Sequence, residues 1–122
     1  MDFTFSEDQL LFRDSVRDFL VNEVTPERIR GTWDTDNGRD NALWQQLAEM
    51  GLTGLTVPEA HGGLGMSELD FVLLAEQCGY VALPEPLVNS AMVAVPLLST
   101  MGGELADQWL PKVANGEARV VA

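Results

Sequence analysis

His61 is the only imidazole in the sequence and Cys78 the only thiol, so nucleophilic or general-base chemistry would have to pass through one of them or through a carboxylate. A catalytic cysteine needs a nearby base, and no histidine stands near Cys78. A small buried apolar residue close to a helix end is the better reading of it. His61 has no Cys or His partner, and no carboxylate cluster carries metal-ligand spacing. A turn histidine that packs its ring accounts for it better than a base or a ligand does. The neighbouring Gly62-Gly63-Leu64-Gly65 lacks both the Lys-Ser/Thr of a phosphate loop and a full G-x-G-x-x-G, so it reads as a tight structural turn. Most of the nineteen acids fall on polar helix faces or at caps. Glu76 and Glu85 are the exceptions, because they flank the most apolar segment of the chain. There a cap or an internal ion pair with arginine is favoured over catalysis. These residues define no reaction by themselves.

The elements that would position them are helices. Ser6-Glu7-Asp8-Gln9 has the form of a capping box, and Phe12, Val16, Phe19, Leu20 and Val24 recur at helical intervals until Pro26 stops the run. The polar stretch 31–38 reads as a loop, with Trp33 as its anchor on the core. A second helix starts near Asp40, turns Leu43, Trp44, Leu47 and Met50 inward, and ends at Gly51, where a cap needs positive φ. Residues 52–59 read as short and extended. Ser67 and Asp70 open a third helix, with Leu69, Leu73 and Tyr80 on one face and Val72 widening it. The fourth helix, from Leu87 to about Met101, is apolar on nearly every side, which predicts burial on every side and a kink at Pro96. Gly102-Gly103 separates it from a fifth, Glu104 to Leu110, after which Pro111 starts one more turn. Arg119 to Ala122 reads as the beginning of a strand, which a helical bundle cannot pair. The fold class is therefore all-α with five helices.

Length and composition bound the rest. The 122 residues suffice for one domain with a core, and 46% hydrophobic content excludes disorder. A net charge of −12, with one lysine among seven basic residues, argues against nucleic acid and against an anionic membrane surface. A single cysteine permits no internal disulfide and fits a reducing compartment. Met1-Asp2-Phe3 shows no basic leader, and the longest apolar run, Ala91 to Leu98, is too short to span a bilayer. The expected location is the cytoplasm.

Several stretches, taken in order, resemble the acyl-CoA dehydrogenase family. Phe5-Ser6-Glu7-Asp8-Gln9 opens the first helix, and Leu43-Trp44-Gln45-Gln46-Leu47-Ala48-Glu49-Met50-Gly51-Leu52 fills the second. Gly54-Leu55-Thr56-Val57-Pro58-Glu59-Ala60-His61-Gly62-Gly63-Leu64-Gly65 is similar to the family's G-L-x-V-P-E-x-x-G-G-x-G segment. Trp109-Leu110-Pro111-Lys112-Val113-Ala114-Asn115-Gly116-Glu117 is similar to its W-L-P-x-x-x-x-G-E approach to a β domain.

The resemblance implies a helical N-terminal domain at 1–116 and the start of a middle β domain at 117–122, with a C-terminal bundle beyond. It implies α,β-desaturation of an acyl-CoA thioester with hydride transfer to FAD, an electron-transfer flavoprotein as acceptor, and a homo- or hetero-oligomer. The flavin-contacting stretch would begin after Ala122 and the catalytic glutamate lies in the absent bundle, so no catalytic, cofactor or metal residue is assigned here. The helix matching Leu87 to Met101 borders the acyl tail in the family, which makes Glu85, Asn89, Ser90 and Val93 the expected substrate-binding residues. Ala82-Leu83-Pro84-Glu85-Pro86-Leu87 looks more like branches acting on bulky or steroid-derived acyl-CoA, some of them heteromeric. Acyl-CoA oxidases, nitroalkane oxidases and flavin-dependent monooxygenases share this domain. The rival readings are a stand-alone, non-catalytic helical interaction module and a base-lacking partner subunit.

Overall fold

A computed structural model describes residues 3–122, so the leader reading at Met1-Asp2 falls outside the described residues. Helix α1 spans Glu7–Glu23. The Gln9 N–H donates to Ser6 Oγ at 3.1 Å and the Ser6 N–H donates to Gln9 Oε1 at 2.8 Å, completing the capping box. Val16, Leu20 and Val24 are buried, as the stripe predicts.

Helix α2, Pro26–Trp33, replaces part of the expected loop. Pro26 ends one helix and begins the next, because a first helical residue has no intrahelical use for its N–H and Thr25 caps the turn. Trp33 is not an anchor but 72% exposed. Ile29 and Thr32 take the inward positions of α2, and the residue after Thr32 is rotated out to solvent.

Helix α3, Asn41–Glu49, buries Leu43, Trp44 and Leu47 and ends at Gly51 with φ 80°. The segment after it is wound rather than extended. Val57 N–H donates to the Gly54 carbonyl, and Leu64, Gly65 and Met66 N–H groups donate back to Gly54, Val57 and Leu55. A buried loop must satisfy its backbone in this way, since water cannot. Gly63 is obligatory there, because a Cβ would lie 2.0 Å from the Val57 carbonyl oxygen. A short 3-10 turn, Glu59–His61, sits within this loop.

Helix α4, Glu68–Tyr80, begins on the Ser67–Asp70 capping box. Its inward face is Phe71, Leu74 and Cys78, flanked by Leu73 and Gln77, while Leu69, Val72 and Tyr80 are exposed. Only Leu73 of the expected face is buried, because α1 packs on the side bearing Phe71, Leu74 and Cys78.

The next rod has three parts: α5 (Leu87–Asn89), a π-helical segment (Ser90–Ala94) and α6 (Val95–Met101). Its α5 end joins the main core through Leu87 and Ala91, whereas Val95 joins a second core with Val57, Ala106, Leu110 and Val113. Burial all round does not hold. Val93, Leu97 and Met101 are exposed, since this chain's own elements cover only the opposite side. Helix α7, Gly103–Ala114, runs unbroken through Pro111. Leu110 and Val113 are buried on either side of the proline, and that burial offsets the lost hydrogen bond. Counting the rod once, six helical elements form where five were expected, and no strand forms among the described residues. Residues 117–122 are non-helical and lie along the bundle, with Val120 packed on the second core.

Candidate functional site

The expected pocket residues sit on the loop before α5 and on the rod itself. Helix α4 closes with Leu83 N–H donating to the Cys78 carbonyl at 3.0 Å and Ala82 N–H to Gly79 at 3.1 Å, a left-handed cap built on Ala82 at φ 53°. This turn throws Glu85 inward. Its side chain is fully buried and accepts the Asp40 N–H at 2.8 Å. Arg119 Nε approaches it at 3.3 Å, and Arg39 stands 3.8 Å away. Arg119 also stacks over Trp44 and donates to Asn41 Oδ1. Asp40 is in turn clamped by Arg28 at 2.6 Å, and that hydrogen bond holds the Asp40 carboxyl below the usual carboxylate range. A run of charges, Glu23–Arg28–Asp40–Glu85–Arg119, thus ties α1, α2, α3 and the α4–α5 loop to the final segment.

Asn89 grips that same segment. Its Nδ2 donates to the Ala122 carbonyl at 3.0 Å and its Oδ1 accepts the Ala122 N–H at 2.9 Å, as a neighbouring strand would. Glu85 and Asn89 both line a cleft of about 360 Å³ with Cys78, Leu83, Pro86 and Val88. Ser90 and Val93 do not line it. Ser90 is 1% exposed and its Oγ has no hydrogen-bond partner, while Val93 is 47% exposed. The structure therefore brings together two of the four expected residues.

Cys78 is buried, and burial pushes its thiol up to about 11, so it presents no thiolate nucleophile near neutral pH. His61 Nε2 lies 3.0 Å from Asp107 Oδ1 and fastens the glycine turn to α7. Glu76 lines a groove of about 490 Å³ between α1 and α4, together with Arg17, Val21 and Tyr80. All six arginines lie within ion-pair distance of a carboxylate, and Lys112 sits over Trp109. A phosphate-rich ligand meets no uncommitted cation among the described residues.

Sequence reasoning missed Arg119 and Thr56. Arg119 carried no local signal, because its partner is thirty-four positions away. Thr56 did leave one: Pro96 in a buried helix demands a donor from elsewhere. The exposed Val93, Leu97 and Met101 repeat at four-residue steps, which the rod's apolar surroundings masked.

The family model described as acyl-CoA dehydrogenase, N-terminal domain, matches residues 6–117. The chain is 32% identical over 95 residues to acyl-CoA dehydrogenase IpdE2 of Mycolicibacterium smegmatis, covering 77% of this chain and 30% of that protein. It is 35% identical over 115 residues to (2S)-methylsuccinyl-CoA dehydrogenase of Cereibacter sphaeroides, covering 91% of this chain and 20% of that one. Among solved structures, the ChsE4-ChsE5 complex from Mycobacterium tuberculosis superposes with a TM-score of 0.83 at 27% identity, over 96% of this chain and 32% of that chain. The chain belongs to the acyl-CoA dehydrogenase family and forms its N-terminal helical domain. It spans a third or less of the length of these relatives.

Proposed function

We propose that this chain is the N-terminal domain of a FAD-dependent enzyme that desaturates an acyl-CoA thioester, and that its α5–α6 rod forms one wall of the acyl pocket. The observation that carries the reading is the rod's uncovered face: Val93, Leu97 and Met101 present apolar surface to solvent on a helix otherwise buried in two cores. Such a face suits an acyl tail or a further domain. Val93 is the pocket-side candidate on the rod, while Ser90, buried within the domain, would act only by holding the turn that carries Val93. Glu85 and Asn89 would shape the wall from behind by fixing the chain at Arg119 and Ala122.

The described residues offer FAD no uncommitted cation, with Lys112 seated over Trp109. The pyrophosphate of FAD needs free cations or backbone donors, and every arginine here is paired with an acid. The flavin and the proton-abstracting base are therefore assigned to the rest of the polypeptide, and this domain contributes shape and exclusion of water. An electron-transfer flavoprotein is the proposed oxidant and the cytoplasm the proposed location. No helix among the described residues is long and apolar enough to cross a membrane. A hetero-oligomer is favoured over a homo-oligomer by the likeness to the ChsE4-ChsE5 complex.

Turnover of a panel of acyl-CoA thioesters by the full-length polypeptide, with a dye as electron acceptor, tests the proposal. Val93→Trp is expected to lower kcat/KM for the bulkiest acyl chains about tenfold and to leave short ones nearly unchanged. Equal losses across the panel would remove Val93 from the pocket, and no turnover by the wild-type protein would remove the enzyme reading.

A further inference from the structure

The π-helical turn at Ser90–Ala94 creates a hydrogen-bonding deficit that can be traced atom by atom. Val95 N–H donates to the Ser90 carbonyl, five residues back. In a regular α-helix that N–H would serve Ala91 instead. The next donor that could reach Ala91 in the wider register belongs to residue 96, which is proline and has no N–H. The Ala91 carbonyl is thus stripped of both helical donors. Ala91 is 1% exposed, so bulk water does not replace them. Thr56 does: its Oγ1 donates to the Ala91 carbonyl at 2.7 Å, reaching across from the wound loop between α3 and α4.

We propose that Thr56 is a positioning residue for the acyl-facing wall, holding the π turn, and with it Ser90 and Val93, in the register that Pro96 imposes. Thr56 and Pro96 then act as a matched pair, one removing a donor and the other supplying it. The loop bearing Thr56 is itself rigid, because Gly63 packs against Val57 and Leu64 N–H bonds to Gly54. The hydroxyl is therefore presented from a fixed base. The effect on substrate choice rests on the assignment of the rod as a pocket wall, whereas the pairing of Thr56 with Pro96 does not.

The test uses the full-length polypeptide and four variants: Thr56→Val, Thr56→Ser, Pro96→Ala and the Thr56→Val/Pro96→Ala double variant. Thr56→Val keeps the side-chain volume and removes the donor. It is expected to raise the unfolding equilibrium constant about tenfold, since a buried carbonyl is left unpaired. Thr56→Ser should restore most of that loss. In the Pro96→Ala background the valine substitution should have a much smaller effect, because residue 96, or Val95 if the rod reverts to α, again supplies Ala91 with a helical N–H. Thr56→Val should also change the ratio of kcat/KM for bulky over short acyl-CoA by about fivefold or more, with rescue by serine. Additive effects of the valine and alanine substitutions would overturn the pairing, as would a serine variant as impaired as the valine one. An unchanged acyl-chain ratio in Thr56→Val would overturn the positioning role. A wild-type protein that turns over no acyl-CoA would sink the enzyme reading and the positioning role with it, while the unfolding cycle would still decide the pairing. Should Thr56→Val fail to fold, folding of the double variant supports the pairing and its failure contradicts it.

Discussion

Glu85→Ala leaves Arg119 and the Asp40 amide facing a hole where a carboxylate stood, and neither has a second acceptor of the same strength at that point. Removing one partner of a buried pair is destabilising because the other stays desolvated, so the substitution is expected to cost about 3 kcal/mol in urea unfolding. A loss confined to substrate affinity, with stability unchanged, would instead make Glu85 a binding residue. Gly63→Ala should be at least as severe, about 3 kcal/mol or more, since its Cβ would overlap the Val57 carbonyl and backbone cannot move aside cheaply. Ala82 runs the other way. It holds a left-handed φ of 53° that a Cβ disfavours, so Ala82→Gly is expected to stabilise by about 1 kcal/mol in the same assay. The acids give a pH dependence of known sign. Hydrogen bonds from Arg28 to Asp40 and from Gln9 to Asp70 lower both folded-state pKa values below the ordinary 3.8. Their contribution is present above that value and is lost as the pH falls through the lower folded values. Melting temperature measured against pH should drop in that acid range, and Asp40→Asn should flatten the drop.

The helices differ in how openly the sequence declares them, for reasons that are physical. Helices α1 and α4 begin at capping boxes, a signal contained in four adjacent residues, and both are legible at their first turn. Helix α2 is hidden because Pro26 carries two meanings, ending one helix and opening another, and only the packing of Ile29 and Thr32 decides between them. The inward face of α4 is ambiguous for a different reason. Leu69, Val72 and Tyr80 are as apolar as the buried set, so periodicity alone cannot choose the side that meets α1. At the rod, the sequence exposes the problem that Pro96 creates but conceals its solution, because Thr56 lies thirty-five positions upstream of Ala91, whose carbonyl it serves. Glu85 was legible as a flanking acid, with an arginine pair as the favoured alternative, yet the identity of Arg119 required the fold. Asn89 is a polar residue on a mostly apolar rod, and its partner, the backbone of Ala122, lies thirty-three positions away. An element-scale consequence follows for α7. Pro111, flanked by the buried Leu110 and Val113, forgoes the ladder bond to Asp107 without breaking the helix, so Pro111→Ala should leave the helix in place and change stability little, as read by circular dichroism and thermal unfolding.

At the scale of the whole molecule, two features govern the account. The bundle has two cores, and the rod that joins them leaves Val93, Leu97 and Met101 uncovered, while α7 adds Leu105 on its own outer side. A net charge of −12, with all six arginines within ion-pair distance of an acid, leaves the remaining surface poorly suited to phosphate groups, in keeping with the proposal that CoA and FAD are held elsewhere. Both features fit the proposed reading of a domain that closes against the rest of a larger polypeptide. Its relatives are about two and a half to four times as long where the matched stretch covers 26–32% of them. The measurement that tests this most directly is the intact mass and flavin content of the protein purified from its native source. A subunit about two and a half to four times 13.3 kDa, carrying FAD that acyl-CoA bleaches under anaerobic conditions, is the expected result. A flavin-free protein of 13.3 kDa would contradict the enzyme reading and make this chain an interaction module in its own right.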